Sequence, residues 1–239
     1  MGAGRMAYET GMYRQAARQF QSALSLVEET NLPQEILSLS LVNLAKSLGA
    51  MGNFSEAESL LRRALELDRL ASASDGAYLL ELIEDFHQLS LLYWRSGKLS
   101  LAEDTLAQAY QILKKHPEVP DELKAKLMKH KAVLAELSGD LVQCRNLIDS
   151  AIEFIAQSHQ LGRHSLIYAD CLMVKVVLLI EQNQYDEATE IYREAIQGME
   201  ITRGEAHPKT VEILELLRQQ ADRKGVSLAE LGARSRLKD

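Results

Sequence analysis

Residues 38–68 read SLSLVNLAKSLGAMGNFSEAESLLRRALELD, two amphipathic helical patterns joined at Gly52-Asn53. Leu41, Leu44, Ala45 and Leu48 recur at the i, i+3, i+4, i+7 spacing of one helix face. After the break, Phe54, Ala57, Leu61, Ala64 and Leu65 do the same. The stretch is expected to fold as a helix–turn–helix hairpin.

The second half of that hairpin has counterparts along the chain. Gly52, Phe54, Ala57, Leu61 and Ala64 are matched by Gly11, Tyr13, Ala16, Phe20 and Ala23, and by Gly97, Leu99, Ala102, Leu106 and Ala109. Gly139, Leu141, Cys144, Ile148 and Ala151 give a fourth copy, and Asn183, Tyr185, Ala188, Tyr192 and Ala195 a fifth. The turn residues 11, 52, 97, 139 and 183 are 41, 45, 42 and 44 residues apart. Self-similarity at this period marks an α-solenoid. Gly and Asn tolerate the φ > 0 that a helix end often needs. The first small residue lets the two helices of a pair approach, and the large apolar residue after it fills the space alongside. The second, alanine in every copy, would let the next hairpin stack. Each hairpin needs its neighbours to bury its faces, so stability is quasi-one-dimensional.

This pattern resembles the tetratricopeptide repeat over essentially the whole chain. Leu41, Leu44, Ala45, Leu48, Gly52, Phe54, Ala57, Leu61, Ala64 and Asp68 fit that family's consensus. The period exceeds the family's usual ~34 residues, as in its kinesin-light-chain-like variety, whose connector Gly204–Pro208 resembles. The resemblance implies an all-α fold, a right-handed superhelical α-solenoid of antiparallel helix pairs. One array is expected, with a partial repeat over 1–30, repeats over 33–72, 77–115, 121–157 and 165–202, and C-terminal capping helices over 208–239. Too few residues precede Gly11 for a helix matching the later ones, so the first copy is either a half-repeat cap or the end of a missing segment. Ala71–Gly76, His116–Pro120 and His159–His164 read as connectors. Pro208–Lys224 reads as a single helix bounded by Gly225, with Ser227 capping a short last one and a frayed tail over 234–239.

Composition agrees with helix. The chain of 239 residues has only 4 Pro and 13 Gly, is 46% apolar and 26% charged, and shows no alternating run rich in β-branched residues. A net charge of 27 − 34 = −7 argues against general affinity for nucleic acid or anionic membrane. No apolar run approaches the ~18 residues of a membrane span, and Met1–Met6 carries neither a signal-peptide core nor a myristoylation motif. Cys144 and Cys171 lie far apart and read as buried apolar residues. Their paucity suits a cytoplasmic location.

Catalytic and metal chemistry find little support. His87, His116, His130, His159, His164 and His207 are scattered, and no Cys or carboxylate completes a ligand set. Ser96-Gly97-Lys98 lacks the second glycine and following Ser/Thr of a phosphate loop. We expect no enzyme activity, no catalytic residues, no metal and no cofactor.

What remains is surface. The resemblance implies that the first helix of each pair lines a concave groove, offering Asn43, Lys46, His87, Leu91, Trp94, Arg95, Lys126, Lys129, His130, Val133, Met173 and Val177 to a partner. Trp94, the sole tryptophan, reads equally as core or as a hot spot. Lys126, Lys129 and His130 follow Lys114, Lys115 and Lys124 in a locally basic stretch, read as a solvated face or as contact with an acidic segment of the partner. Lys131 and Lys175 replace the leucines of earlier copies, either snorkelling or pairing with a carboxylate of the neighbouring hairpin. The expected function is a non-enzymatic scaffold or adaptor binding a peptide or protein partner in the groove. A regulatory or sensor domain of a larger signalling protein and a self-assembling architectural module, homodimeric through its N-terminal end, are the alternatives.

Overall fold

The computed structural model describes residues 2–30, 32–75, 78–203 and 225, and every regular element among them is a helix. They are α1 (Gly2–Glu9), α2 (Tyr13–Thr30), α3 (Gln34–Ala50), α4 (Phe54–Asp75), α5 (Leu79–Arg95), α6 (Leu99–Leu113), α7 (Asp121–Leu137), α8 (Leu141–Gln157), α9 (Leu166–Glu181) and α10 (Tyr185–Arg203). The chain divides into two compact units, Met1–Val119 and Pro120–Asp239. In the first, each of α1 to α6 packs on the next, and α3 also touches α5. In the second, α7 to α10 follow the same rule, and α7 touches α9. This is the antiparallel helix-pair packing of an α-solenoid.

The five repeat turns share one geometry. Gly11, Gly52, Gly97, Gly139 and Asn183 have φ of 75, 84, 76, 82 and 59°. In the second of them the Asn53 N–H donates to the Leu48 carbonyl and the Gly52 N–H to Gly49. The same bond pair recurs at Met12→Ala7 with Gly11→Tyr8, Lys98→Tyr93 with Gly97→Trp94, Asp140→Ala135 with Gly139→Glu136, and Gln184→Leu179 with Asn183→Ile180. This is the Schellman closure, which satisfies carbonyls that a helix end would otherwise leave open. The glycines recur because the closure needs a left-handed residue.

Packing follows the repeat. Ala16, Ala57, Ala102, Cys144 and Ala188 have no exposed surface, and Phe20, Leu61, Leu106 and Ile148 are buried beside them. Of the second small residues, Ala64, Ala109, Ala151 and Ala195 are buried, whereas Ala23 is half-buried. The short α1 meets α2 closely, because a Cβ on Gly4 would lie 2.8 Å from the Phe20 ring. Two prolines enter helices at their N-terminal boundary, Pro33 before α3 and Pro120 before α7.

One connector is shorter than expected. Ala71–Asp75 continues α4, since alanine, serine and aspartate do not stop a helix and Gly76 is the first breaker. The expected connector at 204–208, helix over 208–224, cap at Ser227 and tail over 234–239 lie outside the described residues.

Candidate interaction site

The first helices present their outer stripes in a fixed register from the turn residue. Six positions before the turn stand Lys46, Leu91, Val133 and Val177, all half-buried. Nine before it stand Asn43, Gln88, His130 and Val174, half-buried except for His130. Ten before it stand Val42, His87, Lys129 and Met173, of which all but Lys129 are buried.

These placements correct the sequence reading at three residues. His87, His130 and Met173 are 5%, 2% and 4% exposed, so they pack inside the array and are closed to a ligand. Met173 joins the apolar core of the second unit with Cys171, Leu172 and Val176. Trp94 is half-buried and Arg95 exposed.

Three lysines of α7 pair with carboxylates. Lys126 Nζ lies 2.8 Å from Glu122 Oε1, Lys124 Nζ 3.2 Å from Asp121 Oδ1, and Lys129 Nζ 3.1 Å from Asp170 Oδ2 on α9. The basic stretch is thus partly balanced by carboxylates of its own helix and of α9. Lys175 on α9 sits 2.8 Å from Asp149 on α8, the pairing with a neighbouring hairpin that is one of the two readings of its place among leucines. Lys131 is exposed.

In the first unit α3 touches α5; α3 carries Leu39, Asn43 and Lys46, and α5 carries Gln88, Leu91 and Trp94. Leu39 is 54% exposed. Lys46 Nζ stands 5.5 Å from the centroid of the Tyr8 ring. Gln88 Nε2 donates to Glu84 Oε1 at 2.6 Å. The Asn43 side-chain amide hydrogen-bonds to no described residue. A free side-chain amide can give one donor and one acceptor bond to an extended backbone.

Two polar constellations in the first unit lie outside the sequence reading. Tyr93 of α5 donates to Glu58 Oε1 at 2.9 Å and accepts from Arg62 at 2.6 Å, while Lys98 Nζ reaches Glu58 Oε2 at 2.9 Å. Burial raises the Glu58 pKa, but hydrogen bonds from Lys98, Tyr93 and Arg62 outweigh it and hold the carboxyl below its ordinary value. The second constellation is Asp68 of α4 with Asp85 of α5, which are 1% and 2% exposed. Ser38 donates to Asp68 Oδ2 at 2.6 Å. Burial first, then the Asp68 charge and hydrogen bond, push Asp85 up to about 9; burial likewise raises Asp68. The signal for Asp85 was present in sequence, since it interrupts the apolar stripe Leu82, Phe86 and Leu89.

Burial also pushes the Cys144 and Cys171 thiols up, to about 11 and about 12, which leaves them unreactive at neutral pH. Among the described residues, no three His, Cys, Asp or Glu side chains gather as a metal site, and no helix is long and apolar enough to cross a membrane.

Two tetratricopeptide repeat models match the sequence, one over residues 1–70 and 40–115 and the other over 169–209. The chain belongs to the tetratricopeptide repeat family. No curated protein sequence matches it. Among solved structures it is similar to BtubC (BKLC) from P. vanneervenii, at 18% identity and TM-score 0.64 over 97% of this chain and 90% of that one. A putative kinesin light chain with nearly identical repeats from Podosopora anserina is similar at 16% identity and TM-score 0.58, over 84% of this chain and 93% of that one. The apo form of RapI is similar at 19% identity and TM-score 0.60, over 80% of this chain and 64% of that one. What they share with this chain is the fold, and this chain's repeats are of the kinesin-light-chain-like type.

Proposed function

We propose that the chain is a non-enzymatic interaction scaffold that binds an extended peptide or protein segment on the α3/α5 face. The observation that carries this reading is the Asn43 amide, half-buried and without a described partner, on α3, a helix that touches the α5 carrying Leu91 and Trp94. The amide would fix the partner's backbone, and the apolar side chains would take up alternate side chains of the bound segment. Val133, Val174 and Val177 give the second unit an apolar stripe of its own.

The test is selection of peptides from a random display library on the full chain, followed by calorimetric titration of the selected peptides. Asn43→Ala and Leu91→Glu are each expected to weaken binding about tenfold or more while leaving the circular dichroism and unfolding midpoint near wild type. Undiminished binding by both variants rejects the α3/α5 face.

A further inference from the structure

The Asp68 and Asp85 carboxyls hydrogen-bond to each other where hairpin α3–α4 packs against α5, and almost none of either residue reaches solvent. The one hydroxyl donor is Ser38, spent on Asp68 Oδ2. Asp68 Oδ1 and Asp85 Oδ2 are buried and receive no N–H or hydroxyl donor. The charged groups acting most strongly on the pair are themselves acidic: Glu35 from α3, and Glu81 and Glu84 from α5. Two adjacent buried carboxylates under these conditions cannot both stay ionised, because each lacks water and repels the other.

We propose that Asp68 and Asp85 share one proton, and that this proton is the latch holding hairpin α3–α4 against α5. The proton sits on Asp85 and is donated to Asp68, whose charge Ser38 supports from the other side. One bound proton thus satisfies both orphaned oxygens and removes the repulsion across the joint. In the unfolded chain both groups have ordinary aspartate values and are ionised at neutral pH. Unfolding must then release a proton. The folded state binds more protons than the unfolded state from about pH 4 up to Asp85's raised value of about 9, so the joint loses stability as pH rises across that window. The first unit is on this account tightest in mild acid and loosens toward alkaline pH.

The experiment is urea unfolding of the full chain from about pH 5 to about pH 8, followed by the fluorescence of Trp94. As the sole tryptophan, placed on the same helix as Asp85, it reports the first unit. Relative to Asp85→Asn, the wild-type unfolding constant is expected to grow by up to tenfold per pH unit. At neutral pH wild type should release about one proton more on unfolding than the variant. Asp68→Asn gives the same readout from the other side of the pair. The wild-type chain alone also gives a test: a carboxylic-acid C=O infrared band should persist at neutral pH in the folded state and vanish on unfolding. A wild-type to variant ratio that stays constant with pH, equal proton release, or absence of that band overturns the proposal.

Discussion

Lys129 on α7 places its ammonium 3.1 Å from the Asp170 carboxylate on α9, joining the first helices of two successive pairs. Both side chains are mostly shielded, at 27% and 17% exposure. A partly buried pair is worth more than a surface one, and losing one partner strands the other. Lys129→Ala is expected to lower the stability of the second unit by about 1–2 kcal/mol. A double-mutant cycle with Asp170→Ala, read by chemical denaturation, should return a coupling of at least about 0.5 kcal/mol. Strict additivity would show that the pair contributes nothing.

Met173 provides a test of burial against the groove reading. Met173→Ala removes a side chain packed among Cys171, Leu172 and Val176 and should cost about 2–5 kcal/mol. Val177→Ala, four residues on and half-exposed, should cost less than half of that. Equal costs would return Met173 to the surface.

Asn183 holds φ of 59° at a turn where the other four copies have glycine. Glycine reaches that conformation without Cβ strain, and alanine pays about 1 kcal/mol or more to enter it. Asn183→Gly should leave the melting temperature unchanged or raise it, and Asn183→Ala should lower it by a few degrees in thermal unfolding.

Tyr93 and Glu58 give a prediction in acid. The Glu58 pKa is lowered in the folded state, so its contribution to stability is present above the ordinary glutamate value and is lost as pH falls through the folded value. Tyr93→Phe deletes one of the donors to that carboxylate. The Glu58 titration, followed by carboxyl-carbon NMR, should therefore move upward, and neutral-pH stability should fall by about 1 kcal/mol. An unmoved titration would mean that Lys98 and Arg62 carry the whole effect.

The repeat was legible because its demands are local. A left-handed turn residue calls for Gly or Asn, and helix approach calls for a small side chain, so the residues at 11, 52, 97, 139 and 183 and the alanines after them announce themselves. The face of the array was less legible, because it depends on partners tens of residues away. Lys129 reads as free cation until Asp170, 41 positions later, is brought beside it. Met173 occupies the same register position as Val42 and His87, and all three are buried. Helical periodicity alone does not say which stripe the next pair covers. Asp85 was visible as a carboxyl on an apolar stripe, but its meaning needed Asp68 from another helix.

The reach of the contacts has a consequence for synthesis. The Tyr78 hydroxyl donates to the Glu35 carboxylate of the preceding pair, 43 residues back, and Lys129 pairs with Asp170 across 41. Chains with such short separations close small loops and fold quickly. Within each unit, a growing polypeptide can therefore lock each hairpin onto its predecessor soon after leaving the ribosome, without waiting for a distant strand or terminus. Inside a unit, folding can proceed vectorially, in the order of translation, with a finished helix pair serving as the template on which the next one settles.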